Sequence, residues 1–313
     1  MPFKKRNIVI GVDGNYLHKA VVFYKSLSKV HNNFTLHLFC FDETTYLTTK
    51  KMKYKNIKLY HNSVFETKEL LKIKSSKERL YEYYWASLPH LAKKVLDEQN
   101  CEFVALADAD IMFFQSPEII FEEFKNSDVI IQPNNYSSLY PEDFVRYGYY
   151  CSSFQCFRNN KNGKKVLNYW CNKCTEWCSR KYEKGKFGDQ KYLDDWRIRF
   201  KKVREVSNVG TNIAPWNVQK YDISKENGVI LINNKWPLVY YHFHSFKINL
   251  NNYNYILTGD RNLSYPIAND VIKFVYEPYV KLNIETIKEL KKIATYRNYL
   301  TINPEGNYHV QKI

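Results

Sequence analysis

CEFVALADADIMFFQSP, Cys101 to Pro117, is the stretch that decides how this 313-residue chain folds. Phe103 to Ala107 form an unbroken apolar run that reads as a buried strand. It stops on Asp108 and Asp110 before Ile111 to Phe114 turn apolar again. Side chains alternate along an extended backbone, so the two carboxylates point to the same side. Held that close at the rim of an apolar core, they repel one another and lose hydration. A positive group is expected between them.

Working outward, NIVIGVDG (Asn7 to Gly14) reads as a first strand ending in a loop. YLHKAVVFYKSLSKV (Tyr16 to Val30) has the apolar spacing of a helix packed over it. FTLHLFCFD (34–42) and NIKLYHN (56–62) add two more strands, which is the β-α-β rhythm of an α/β fold with a mostly parallel sheet under helices. SSKERLYEYYWASLPHLAKKVLDEQ (75–99) predicts two helices or one kinked at Pro89. Further strands are expected at 127–133 and 150–159, and helices at 163–185 and 284–297. The core is expected to occupy residues 1–250, with 251–313 as a small helical appendage.

The formal charge of +15 calls for an anionic partner, and nucleic acid, anionic lipid and nucleotide phosphates all qualify. The basic residues are scattered through KELLKIKSSKER, NKNGKK, RFKKVREV and KELKKIATYR without forming one arm. A solvated basic face is the plainer reading of that pattern. MPFKKRNIVIGVDG has no apolar segment of the signal-peptide kind, so a cytosol-like compartment is expected. Seven cysteines, an odd number, argue there for free thiols.

Four motifs carry candidate chemistry. Asp108 and Asp110, at the carboxyl end of a strand, offer hard oxygen ligands to Mn²⁺ or Mg²⁺. In HFH, His242 and His244 share one side of an extended segment, and together with the acids this pair supplies a candidate third ligand. In FGDQKYLDDW, Asp189 and Gln190 stand at a loop-to-helix junction, where an N-cap aspartate is the plain alternative. Asp194 and Asp195 are expected to face solvent. In VGTNIAPWN, Asn212, Trp216 and Asn217 could hold a sugar by a ring face and two amides, and a structural loop would use the same letters. CNKCTEWC has two-then-three spacing but no evident fourth ligand, and reads as buried thiols on a helix.

Taken in order, the D-x-D, GKFGDQKYLDDW, APWN and HFH resemble the GT-A type nucleotide-sugar glycosyltransferases, and the last three look like one bacterial group of them. The set is also similar to the retaining galactosyltransferase and glycogenin-like family. The resemblance covers about residues 7 to 247. It implies a divalent ion, Mn²⁺ or Mg²⁺, on Asp108, Asp110 and His242, with a nucleoside diphosphate bridging and Lys247 on a phosphate. Asp13 and Tyr16 would hold the base, the ring of Tyr16 stacking on it. Asp189 and Gln190 would lie against the donor sugar. The chain departs from the family where N-x-G is usual, with Cys151 and Ser153, and where glycine follows the histidine motif, with Ser245.

The resemblance implies transfer of a sugar from a UDP-sugar to a hydroxyl of a glycan acceptor, with retention, and the basic surface could hold such a protein at the periphery of an anionic membrane. Three readings compete. A haloacid-dehalogenase phosphatase would carry its D-x-D on the first strand, followed by Thr or Val rather than Ile111. A nucleic-acid binder would show a recognisable module, and none is present. A GT-A scaffold that binds sugar without turnover would not need every motif intact.

Overall fold

The computed structural model describes residues 5–77, 79–140, 142–250, 254–258, 266–296 and 310–312. Its centre is a seven-stranded sheet. The strands are β1 (Arg6–Val12), β2 (Phe34–Cys40), β3 (Ile57–Tyr60), β4 (Phe103–Ala107), β6 (Val129–Pro133), β7 (Tyr150–Arg158) and β8 (Val203–Glu205), while β5 (Ile111–Phe113) lies outside it. The order is β3-β2-β1-β4-β7-β6-β8. β1 runs parallel to β2 and β4, β2 to β3, and β6 to β8, whereas β7 is antiparallel to both β4 and β6. The chain therefore moves outward from β1 to β3 and returns to β4 on the other side of β1. A crevice opens at such a reversal, outside the carboxyl ends of β1 and β4.

Both faces of β4 are covered, which is why its sequence shows no polar alternation. Val104 and Leu106 pack against Ala86, Leu91 and Val95 of the Leu80–Glu98 helix and Trp170 of the Lys161–Glu176 helix. Phe103, Ala105 and Ala107 face Ala20, Phe23 and Leu27 of helix α1 (Leu17–Val30).

The expected break at Pro89 takes the form of one continuous helix with the proline inside it. Burial of Ala86, Leu88, Leu91 and Ala92 on either side holds that helix to the sheet. The next long helix stops at Glu176 instead of 185, so Cys171 and Cys174 lie on it and Cys178 just beyond. All seven cysteines are free thiols. The last long helix spans Glu277–Leu290, earlier than its Lys-rich segment suggested. It is tied to α1 by Lys25, which donates to Thr286 and pairs with Glu289. Its Tyr279 stacks on Phe243 at 3.6 Å between ring centroids. Part of the Asn- and Tyr-rich tail lies outside the described residues.

Two histidines sit deep in this core. His18 is 1% exposed and burial pulls its pKa down to about 3; His37, also 1% exposed, is pulled down to about 4. Both are neutral when folded. As pH falls below the unfolded value of about 6.5, the unfolded chain takes up protons that the native one refuses, so stability drops. By pH 5 the loss is on the order of 2 kcal/mol per histidine. Urea midpoints at pH 7.5 and 5.0 measure it. His37→Gln, which keeps a polar group near Tyr60 and Asn7, is expected to flatten the slope by about half. An unchanged slope would show that His37 plays no part.

Candidate active site

The crevice between β1 and β4 is furnished from four parts of the chain. At the end of β1 the Asp13 carboxylate accepts hydrogen bonds from the backbone N–H groups of Asn15 (3.1 Å) and Tyr16 (3.2 Å) and from the Asn15 amide (2.9 Å). That turn sets Tyr16, 40% exposed as a residue, at the entrance to α1. Past β4, the N–H of Asp108 donates to the Ser153 carbonyl of β7 at 2.9 Å, and the Asp110 carbonyl accepts from the N–H of Phe243 at 2.8 Å. β5 then pairs with the Tyr240–His242 strand, placing His242 opposite Ile111. This pairing carries the histidine motif to the two acids.

Nε2 of His242 lies 3.1 Å from Asp110 Oδ1 and 3.7 Å from Asp108 Oδ2. One ligand atom from each of the three residues falls within 4.8 Å of the others. The other ring nitrogen of His242 faces Cys151 Sγ at 3.9 Å, and the Trp216 ring meets the imidazole edge-on at 5.3 Å. His244 stands against Trp216 at 5.6 Å between centroids and is not in the three-residue cluster. Asp108 keeps 27% of its side chain exposed and Asp110 6%, so Asp108 faces the opening.

The positive group expected between the acids is present twice over. His242 takes one oxygen of Asp110, and the ammonium of Lys19 lies 3.6 Å from the other. Burial alone would raise Asp110, but His242 and Lys19 outweigh it and hold this carboxyl well below the usual range. Asp108 goes the other way, raised by burial and then by Asp110 and Asp189, against the pull of His242. Burial would lower His242, and Asp110 reverses that and raises it. Two carboxylates and an imidazole converging in a half-open pocket suit a divalent cation, whose charge would relieve the strain on Asp108.

Asp189 is buried, and its Oδ2 has no hydrogen-bond partner in the protein. Burial pushes its carboxyl up to about 7. It makes no side-chain cap, contrary to the plain reading; instead its carbonyl accepts from the Trp170 indole at 2.9 Å. Gln190 bridges two segments, accepting from the Ser152 N–H at 3.2 Å and donating to the Tyr147 carbonyl at 2.8 Å. Asp194 is not solvent-facing as expected; it accepts the Tyr149 N–H at 2.7 Å and pairs with Lys191 at 2.9 Å, fixing the loop beside Gln190. Asp195 is half-buried and pairs with Arg199.

The APWN loop is also arranged differently from the expectation. Asn212 and Asn217 are each 1% exposed. Asn212 accepts from the Ser153 hydroxyl and donates to the Pro133 carbonyl. Asn217 accepts from the Ala214 N–H and donates to the carbonyls of Asn134 and Asn212. Trp216 is 7% exposed, and its indole N–H donates to Asn134. The amides hold the loop, and the loop backs His242. Ser245, where the family pattern has glycine, adopts φ +57°, the left-handed conformation that glycine takes without strain. Burial lowers the pKa of Lys19 against the pull of Asp110, and the exposed Lys247 adds a smaller push in the same direction.

Sequence reading missed Lys19. Its signal was a cation on the apolar face of α1, between the buried Leu17, Ala20 and Val21.

The sheet order, the crevice and the carboxylates at its rim define a GT-A fold, and solved structures agree. The galactosyltransferase LgtC, in complex with donor and acceptor sugar analogs, superposes with a TM-score of 0.54 at 14% identity over 89% of this chain and 95% of its own. The glycosyltransferase GlyE of Streptococcus pneumoniae TIGR4 does so at 0.51 and 12%, over 96% of this chain and 66% of its own. Residues 30–212 match the family model of nucleotide-diphospho-sugar transferases. Two uncharacterized proteins of Bacillus subtilis (strain 168) are similar over most of the chain. YfnF is 31% identical over 74% of this chain and 78% of its own, and YfnD 27% identical over 88% and 87%. The chain belongs to the nucleotide-diphospho-sugar transferase family and is a glycosyltransferase.

Proposed function

We propose that the enzyme transfers a sugar from a UDP-sugar to a hydroxyl of a glycan acceptor with retention of configuration, using Mn²⁺ or Mg²⁺ held by Asp108, Asp110 and His242. The observation that carries this reading is the convergence of those three side chains, from well-separated stretches of the sequence, at the crevice between β1 and β4. When bound, such an ion neutralises charge on the departing diphosphate.

The remaining roles belong to the chain. Tyr16, partly exposed and fixed by the Asp13 turn, offers its ring to the base. Lys247 supplies a cation at the mouth. Asp189, buried with one oxygen unengaged, is placed to accept a sugar hydroxyl or to stabilise an oxocarbenium-like transition state, while Gln190 holds its loop. Trp216, Asn212 and Asn217 support His242 from behind. Residues 1–250 carry the chemistry, with 251–313 as the appendage, whose Glu277–Leu290 helix braces the histidine segment through Tyr279 on Phe243. No helix among the described residues is long and apolar enough to cross a membrane. The net charge of +15 suits an anionic leaflet where lipid-linked acceptors sit.

A thermal-shift screen of nucleotide-sugars with and without Mn²⁺ tests the reading, because a ligand that binds only the native state raises its melting temperature. Since LgtC is a galactosyltransferase, a galactose donor is the first to try. The expected result is stabilisation by UDP-sugars that needs the metal. The same protein should sediment with anionic vesicles less strongly as salt rises. Metal-independent stabilisation, or none by any nucleotide-sugar, would overturn the assignment of donor and ion.

A further inference from the structure

We propose that Lys19 is a second, protein-borne cation of the donor site, which binds the diphosphate of the nucleotide-sugar beside the metal; the inference rests on the donor reading above. Lys19 sits in the first turn of α1, at the mouth of the β1–β4 crevice. Its side chain is 5% exposed, with the ammonium 3.6 Å from Asp110 Oδ2 and 4.1 Å from the centre of the Tyr16 ring.

Taking an ammonium out of water costs several kcal/mol. Packing does not ask for it, because Leu17, Ala20 and Val21 on the same turn are apolar and buried. The contacts it makes do not use it fully either. A lysine carries three N–H donors, whereas these contacts are one ion pair longer than a good charge-assisted hydrogen bond and one ring face.

The charges that face Lys19 indicate what completes the set. Asp110 and Asp13 attract it, and Lys247 approaches from the strand that follows the histidine motif. With a divalent cation cancelling Asp108 and Asp110, the ammonium groups of Lys19 and Lys247 remain to meet an anion. Asp13 is occupied by its own turn. The diphosphate of a nucleotide-sugar is a dianion that must lie between the base on Tyr16 and the metal, which is the span Lys19 occupies.

Lys19→Met keeps the aliphatic stem and removes the charge. Calorimetry with three probes then separates the roles: UDP with Mn²⁺, uridine, and Mn²⁺ alone. The variant is expected to bind UDP about 10- to 100-fold more weakly, the weight of one charge-assisted contact. It should bind uridine as the wild type does, and Mn²⁺ alone as well or better, because a like charge has gone. Lys19→Arg should stay within a few-fold of wild type, and Lys19→Gln gives the same readout as Met should the apolar variant fold poorly. Equal losses for UDP and uridine would mean that Lys19 only orients Tyr16. A matching loss of Mn²⁺ would mean that it only props Asp110. Unchanged UDP affinity would remove it from the site; each of these three results overturns the proposal. A wild-type protein that binds no UDP at all fails the donor reading itself, and this inference falls with it.

Discussion

Asp110→Asn is expected to abolish metal-dependent transfer and to destabilise the protein by about 3–5 kcal/mol, whereas Asp108→Asn abolishes transfer and leaves the metal-free protein at least as stable as wild type. The two acids are one residue apart, yet their surroundings are opposite. Asp110 is buried between His242 and Lys19, and neutralising it strands the Lys19 ammonium in an apolar turn. Asp108 carries its charge at a cost, because burial, against the pull of His242, and then the neighbouring Asp110 and Asp189 raise its carboxyl to about 8. An amide there relieves repulsion instead of creating it. Both substitutions remove a ligand oxygen, so both should cost about 100-fold or more in kcat/KM and erase the Mn²⁺-dependent thermal shift. Urea unfolding without metal at pH 7.5, followed by melting with Mn²⁺, separates the two effects. If Asp108→Asn proves as destabilising as Asp110→Asn, the pair is a structural network; a surviving Mn²⁺ response in either variant would move the ion elsewhere.

What could be read from the sequence is what is local. The apolar run of β4 and the same-side placement of Asp108 and Asp110 follow from strand geometry alone, and the structure has both. The need for a nearby positive charge also follows from two adjacent acids. Which group supplies it does not, because Lys19 and His242 arrive through packing of α1 and through the pairing of β5 with Tyr240–His242. The APWN loop shows the limit most clearly. A tryptophan and two asparagines serve a sugar or a loop equally well, and the difference lies in whether the carbonyls of Pro133 and Asn134, some eighty residues earlier, come within reach. The start of the C-terminal helix was within reach of the sequence, since Pro278 stands in its first turn, where proline is tolerated. The Lys-rich segment after it drew the boundary too late.

Gly210→Ala is expected to cost about 3 kcal/mol or more and to remove the Mn²⁺ response, although Gly210 touches no candidate ligand. A Cβ at this position would lie 1.9 Å from the Pro237 carbonyl oxygen and 3.0 Å from its carbon. These are backbone atoms and cannot rotate aside, so one of two segments must move. On one side, the Gly210 N–H donates to Asn208 Oδ1 at 2.9 Å, and its carbonyl accepts from the Val239 N–H at 2.8 Å. Three residues on, the Ile213 carbonyl accepts the His242 N–H at 2.8 Å. The 208–213 loop and the 237–242 segment are thus zipped together, and β5 is zipped to the far side of the latter. A methyl group forced between them displaces the strand that carries His242, and the imidazole leaves Asp108 and Asp110. Gly228→Ala is the matched control: nothing lies within 4 Å of its Cβ, but φ is +84°, so it should cost only about 1–2 kcal/mol of backbone strain and keep the metal response. Urea midpoints and Mn²⁺ thermal shifts on the two variants decide the matter. Equal costs, with the metal response intact in both, would mean that the loop slides freely past Pro237 and that His242 is held by β5 alone.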